Sequence, residues 1–163
     1  MLQSFKMTRE SQLSELGFVL PSAPSPGGNY VSAKRVGSLL FLAGVISTDA
    51  SGVITGTVGH NRSVTDGYNA ARTCVLIQLA AIKRELVSLD SVAEVISVNG
   101  YVNCIPGFEE SAAVINGASD LLVQVFGESG KHVRAAVGVP ALPRNALVEL
   151  QMTVRIKDQA DAL

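Results

Sequence analysis

Two oppositely charged side chains near the end of the chain have surroundings that suit small-molecule chemistry. Arg134 lies in the apolar segment HVRAAVGV, where burying a guanidinium without a partner would be costly. Glu149 lies in the following segment LVELQMTVRI, whose residues alternate between apolar and polar. An arginine can hold a carboxylate through two parallel hydrogen bonds, and a glutamate can accept a proton from water. The two residues are therefore a candidate site if the fold brings them together.

Each of these residues also has a purely structural alternative. Arg134 could pair with an acid across a subunit boundary, and Glu149 could be a polar residue on a solvated strand face. If both strands share one sheet, the alternation predicts that both side chains project from the side that the helices leave uncovered. His60 and His132 have no partner at a catalytic spacing, so solvated or core roles are expected. Cys104 is expected to be a small buried residue.

Composition limits the class of protein. The 163 residues suffice for one ordinary domain but not comfortably for two. A net charge of -1 gives no electrostatic surface for a nucleic-acid backbone, so nucleic-acid binding is not expected. Two cysteines cannot form a disulfide framework, and no cysteine and histidine spacing resembles a zinc site. The charged N-terminus and the lack of a long uncharged apolar run predict a soluble, cytoplasmic protein without a membrane span.

The hydrophobic periodicity predicts one domain preceded by an appendage. Residues 1–29 are expected to hold a short helix, capped by Thr8, and a linker rich in proline and glycine; residues 30–163 form the domain. The further predicted elements are strands at 30–36 and 39–46, a long helix starting at 63–66, a strand at 94–101, a second long helix and two closing strands. The second long helix is expected to follow Pro106, with Glu109 and Glu110 in its first turn, and to end near Phe126. This order, α-β-β-α-β-α-β-β, predicts an α+β sandwich of two layers, with two long helices packed on one face of a mixed sheet. An arginine beside alanines and glycine on the open face predicts an oligomer interface.

Three parts of the sequence resemble one family. They are GNYVSAKRVGSLLFLAGVIS, the helix residue Asn116 and KHVRAAVGVPALPRNALVELQ, and they look like the Rid/YjgF family of reactive-intermediate deaminases from about residue 29 to residue 156. The leading helix and its linker resemble a less characterised subgroup. The resemblance implies a chorismate-mutase-like fold, a homotrimer with a central β-barrel, and clefts between subunits. It also implies hydrolysis of enamines and imines, such as 2-aminoacrylate, to 2-keto acids and ammonia, without cofactor or metal.

The same resemblance implies roles for individual residues. Arg134 would bind the substrate carboxylate, Glu149 would position the water, and the backbone carbonyl of Ala136 would help to hold that water. The remaining substrate-binding residues are Tyr30, Asn116, Ala43 and Gly44. Tyr30 could equally be an ordinary strand tyrosine, and Asn116 could satisfy a local hydrogen bond in the core.

Two departures from the family pattern concern the substrate. Ala43 stands where the deaminases commonly have serine, and Val45 where they often have glutamine. Two polar contacts would then be absent, and the cleft would be more apolar. The resemblance favours an imine deaminase, and these two departures motivate the alternative, a non-catalytic module that binds a small carboxylate metabolite. Endoribonuclease or translation-inhibitor activity is the least favoured, because the chain is slightly acidic.

Overall fold

A computed structural model describes residues 7–158. It contains three α-helices and eight β-strands in chain order. The helices are α1 (Arg9–Glu15), α2 (Val64–Leu86) and α3 (Ser111–Phe126). The strands are β1 (Ala33–Val36), β2 (Leu39–Leu42), β3 (Val45–Ile46), β4 (Thr48–Asp49), β5 (Gly52–Val53), β6 (Val92–Asn103), β7 (Val133–Val139) and β8 (Val148–Ile156). None of the helices in this range is long and apolar enough to cross a membrane.

The ends of the helices follow from local sequence. Thr8 caps α1 by accepting a hydrogen bond from the backbone N–H of Ser11. Ser63 and Asp66 form a capping box at the start of α2, as the sequence predicts. The second long helix begins later than expected, at Ser111, so Glu109 and Glu110 precede its first turn.

The main sheet is mixed, and its strand order is β1-β2-β8-β6-β7, with β3 also paired to β8. Neighbouring strands are antiparallel except β6 and β7, which are parallel because α3 crosses over between them. The expected strand at 39–46 is broken at Ala43 and Gly44, which leave the sheet between β2 and β3. β4 and β5 form a separate two-stranded hairpin. The α+β architecture with two long helices on one mixed sheet is confirmed.

The core lies between one face of the sheet and α2 and α3. Val148, Leu150, Met152 and Val154 of β8 are fully buried there, and the alternation in the sequence predicts them correctly. α1 is packed onto this core through Leu13, which is 2% exposed.

One face prediction is wrong. Arg134 and Ala136 are in register with Val98 and Gly100 of β6, which in turn pair with Met152 and Leu150. Since residues in register share a face, Arg134 lies on the helix side of the sheet, whereas Glu149 lies on the open side. The physical reason is space. α3 passes close over β7, so the positions beneath it must be small or reach out past the helix, as Ala136, Gly138 and Arg134 do.

The valines of β7 consequently point the other way. Val133 is 72% exposed and Val137 45% exposed, and both face the open side. Phe41 and Val36, from the other end of the sheet, are exposed on that same side. The open face therefore carries apolar side chains that nothing in residues 7–158 covers.

Candidate functional site

Arg134 is anchored at the edge of the sheet by α3. Its Nη1 donates to Asn116 Oδ1 at 2.9 Å and to Ser119 Oγ at 3.0 Å, and its Nη2 donates to the Ala112 carbonyl at 3.5 Å. None of these partners is a carboxylate. A guanidinium has five N–H donors, so the Nε–H and one Nη2–H remain. They form the edge of the guanidinium that grips a carboxylate in a bidentate manner.

A chain of hydrogen bonds continues from Arg134 into the protein. Ser119 Oγ lies 2.9 Å from His132 Nε2, and His132 Nδ1 lies 2.6 Å from the Gly130 carbonyl. The carbonyl can only accept, so Nδ1 carries the proton and Nε2 accepts from the Ser119 hydroxyl. Burial is the main cause that lowers the pKa of His132, which agrees with this neutral form. This series of hydrogen bonds holds the Arg134 guanidinium in one orientation.

Asn116 is therefore placed by the structure beside Arg134. Its amide oxygen accepts the guanidinium hydrogen bond, which accounts for an asparagine in the middle of a helix, where its intrinsic preference is poor. Ala136 lies two residues beyond Arg134 on the same face and is half-buried. Arg134, Asn116 and Ala136 thus form one group, which we call the arginine group.

The other predicted residues meet elsewhere, in a cleft of about 910 Å³. Tyr30, Ala43, Gly44 and Glu149 all line it, together with part of α2 and the segment from Val19 to Gly27. We call these four residues the glutamate group. The Glu149 carboxylate has no hydrogen-bond partner within residues 7–158 and is half-buried.

The absence of a side chain at Gly44 leaves room for the Glu149 carboxylate. A Cβ added to Gly44 would lie 2.6 Å from Glu149 Oε1, closer than real Cβ contacts allow. Gln78 of α2 fixes the backbone on either side of this contact. Its Nε2 donates to the carbonyls of Ala43 and Leu150, both at 3.0 Å, while its buried Oε1 has no partner.

Tyr30 lines the same cleft. Its hydroxyl oxygen accepts a hydrogen bond from the Gly27 N–H at 3.0 Å, so the hydroxyl hydrogen is left to donate to a ligand. Tyr30 is 52% exposed, and it precedes β1 instead of belonging to it. The strand alternative for Tyr30 therefore does not hold in the structure.

The arginine and glutamate groups do not meet within the chain, because Arg134 and Glu149 lie on opposite sides of the sheet. β7 is an edge strand, paired only with β6, so one row of its backbone N–H and C=O groups has no strand partner in the described part of the chain. The arginine group lies along this edge and the glutamate group opens beside β3.

Sequence reasoning missed several residues that shape the two groups. Ser119 and His132 bind one another beside Arg134, and their only signal is a serine three residues after Asn116 on the same helix face. Arg144 lines the cleft beside Glu149 in a left-handed backbone conformation (φ 56°), and its side chain has no partner within residues 7–158. Nothing in the local sequence places Gln78 against Ala43.

The remaining reactive residue types have structural surroundings. Burial raises the pKa of the Cys74 thiol, and the Glu149 charge raises it further. Burial also raises the pKa of Cys104, so both thiols stay protonated, and the small buried role expected for Cys104 is confirmed. Within residues 7–158, histidine, cysteine and carboxylate side chains form no group of three or more that could hold a metal ion.

Known proteins share this arrangement of elements. A family model described as "YjgF/chorismate_mutase-like, putative endoribonuclease" matches residues 10–155. Protein TCP17 of Trypanosoma cruzi is 41% identical over 150 residues, which is 91% of this chain and 94% of that protein. A 2-iminobutanoate/2-iminopropanoate deaminase of Dermatophagoides farinae is 28% identical over 137 residues, with 84% and 93% covered. The crystal structure of Atu1372 from Agrobacterium tumefaciens, a protein of unknown function, has a TM-score of 0.85 at 41% identity, with 91% and 92% covered.

Proposed function

The chain belongs to the YjgF/chorismate-mutase-like family, and on that premise we propose that it hydrolyses 2-imino acids and their enamine tautomers to 2-keto acids and ammonia. One water is consumed: its oxygen becomes the keto oxygen, and the C=N bond breaks to release ammonia. The similarity to an imine deaminase supports this reaction class. We place the reaction in the cytoplasm, where two buried, unpaired cysteines stay reduced.

The chemistry asks for positioning more than for strong reagents. The Nε and Nη2 edge of Arg134 would bind the substrate carboxylate, while Asn116 holds the guanidinium in place. Glu149 would orient the attacking water and accept its proton, with the Ala136 carbonyl as a second acceptor. The free hydroxyl hydrogen of Tyr30 would donate to the substrate.

The single observation that carries the proposal is the separation of the arginine and glutamate groups. Each has unused hydrogen-bonding capacity, and neither is complete on its own. A neighbouring copy that brings its β7 edge to the glutamate group would complete the site. We propose a homotrimer in which the open sheet faces form a central barrel, because Phe41, Val133 and Val137 are exposed there.

The test of the activity couples an amino-acid oxidase to the protein and follows imine decay by trapping with semicarbazide. Arg134→Ala and Glu149→Gln should each abolish the acceleration. Arg35→Ala should leave it unchanged and is a matched control on exposed strand β1, because the one hydrogen bond of this side chain within residues 7–158 runs from Nε to the Gly37 carbonyl. Unchanged decay with the wild-type protein, or full activity of Arg134→Ala, would reject the proposal.

Mixing the two inactive variants tests the shared site. In randomly mixed trimers about a quarter of the boundaries join a wild-type Arg134 to a wild-type Glu149, so co-expression should restore about a quarter of the wild-type activity. A site contained within one protomer would show no restoration.

A second function is favoured by one observation, the apolar residues Ala43 and Val45 in the cleft wall. The protein would then bind a small carboxylate without turning it over. Calorimetry that shows saturable binding of 2-keto acids, together with no effect on imine decay, would support this alternative.

A further inference from the structure

We infer that the segment from Val19 to Gly27 and the facing side of α2 form a side-chain pocket, which selects 2-imino and 2-keto acids with a branched or aromatic apolar side chain over three-carbon acids. The inference rests on the proposed function, since it concerns which acid the same cleft takes. We call the segment the N-terminal strap.

The N-terminal strap is fixed to the body of the protein. The Pro24 carbonyl accepts hydrogen bonds from Arg84 Nη1 at 2.8 Å and from Ser32 Oγ at 3.3 Å. Just before the strap, the guanidinium of Arg72 lies over the Phe18 ring at 4.6 Å. Prolines further restrict the backbone, so little conformational entropy is left to lose when a ligand binds. The strap is therefore a fixed wall of the cleft.

The charged residues that line the cleft come from elements other than the N-terminal strap and α2. Its three charged residues, Asp49, Arg144 and Glu149, come from β4, from the turn before β8 and from β8 itself. None of the residues that the strap or α2 contributes is charged. The apolar ones are Val19, Leu20, Pro21, Pro24, Pro26, Leu76, Ile77 and Ala81. An acid whose reacting carbon lies at Glu149 would direct its side chain toward this uncharged end.

The size of the cleft agrees with a larger substrate. Cavities of about 300–1,000 Å³ hold ligands of drug size, and this cleft has a volume of about 910 Å³. A three-carbon imino acid would leave the apolar end unfilled and its walls in contact with water. A branched or aromatic side chain would displace that water, and each methylene in an apolar pocket changes the specificity constant by about tenfold or more.

The experiment compares imines that an amino-acid oxidase generates from alanine, leucine, phenylalanine and glutamate. We expect kcat/KM to be about tenfold or more higher for the leucine and phenylalanine products than for the alanine product. Leu76→Ala should remove most of this preference and change the alanine-derived rate by less than about twofold. Leu86→Ala is the matched control, because it makes the same change on the same helix at a half-buried position outside the cleft.

A second variant narrows the pocket from the exposed side. Ser25→Phe should slow the large substrates while sparing the alanine product, and Asn29→Phe, exposed but outside the cleft, should do neither. Equal rates across the imines, or a preference unaffected by Leu76→Ala and Ser25→Phe, would overturn the inference. A preference for the glutamate product would also overturn it and would indicate Arg144 as the selecting residue.

Failure of the proposed function gives a different result. If no imine is hydrolysed, calorimetry with 4-methyl-2-oxopentanoate and pyruvate tests the pocket independently of the reaction, by comparing the affinities of the two acids. Tighter binding of the branched acid, lost in Leu76→Ala, would support the pocket without the reaction. Equal binding of the two acids, or no binding of either, would reject it.

Discussion

Gly44→Ala should separate catalysis from stability. The new Cβ would stand 2.6 Å from Glu149 Oε1, whereas ordinary contact begins at 3.4 Å, so the carboxylate must withdraw by about 0.8 Å. The obstacle is the end of a flexible side chain, and Gly44 does not have a positive φ, so the backbone can stay where it is. The free energy of unfolding should therefore change by less than about 1 kcal/mol.

The catalytic effect should be much larger. A misplacement of about 1 Å can reduce a rate by about a hundredfold, so a displacement of about 0.8 Å should lower kcat by about thirtyfold to a hundredfold. This corresponds to about 2–3 kcal/mol of lost transition-state stabilisation. Semicarbazide trapping of oxidase-generated imine measures kcat, and urea denaturation measures stability on the same preparation.

Gly28→Ala is the control for Gly44→Ala. Its new Cβ would lie 3.5 Å from the Tyr30 ring, an ordinary van der Waals distance, and Gly28 does not line the cleft. A Gly44→Ala protein that folds normally and retains full kcat would refute the role of Glu149. Equal losses in the two variants would trace the effect to the added methyl group and not to the carboxylate.

Three further predictions concern stability and the anchoring of Arg134. Gly117→Ala should lower the free energy of unfolding, measured in urea, by about 2–3 kcal/mol. The new Cβ would collide with the backbone carbonyl of Tyr68, which cannot move without separating α2 from α3. A loss as small as that of Gly28→Ala would contradict this contact. Burial lowers the pKa of His132 below its ordinary value of 6.5, so its contribution to stability is fully present above pH 6.5 and is lost as the pH falls toward the folded-state pKa. The free energy of unfolding should therefore decrease less between pH 7.5 and pH 5.5 in His132→Gln than in the wild-type protein. An identical decrease in both proteins would rule out this linkage. Ser119→Ala should raise KM about tenfold with a smaller change in kcat, because one hydrogen bond to the charged guanidinium of Arg134 is lost. Ser119→Thr keeps the hydroxyl and should restore the wild-type KM. An unchanged KM in Ser119→Ala would show that this hydrogen bond does not orient Arg134.

Patterns confined to one element predicted the structure well. The capping box of Ser63 and Asp66 and the apolar alternation of β8 are local, so the helix start and the buried face follow directly from the sequence. The relation between two strands is not local. Alternation tells which residues of β7 share a face with Arg134, but only the pairing with β6 tells which of the two faces that is.

The residues of the candidate site also differ in whether local sequence predicts them. Arg134 and Glu149 are conspicuous because a charge in an apolar segment needs an explanation, whereas the residues that hold them come from distant parts of the chain. Gln78 reaches Ala43 across 35 positions, and His132 reaches Ser119 across 13. The N-terminal strap likewise reads as a linker, and its place along α2 depends on Arg84.

The free edge of β7 has a consequence for handling the protein. An unpaired strand edge flanked by exposed valines is a template on which another chain can add a strand. In the proposed homotrimer the neighbouring copy would cover this edge, and a chain separated from its neighbours would expose it to pairing with other chains. Substitutions at Val133 and Val137 should first change yield and solubility, and a loss of activity would follow from the smaller amount of folded protein.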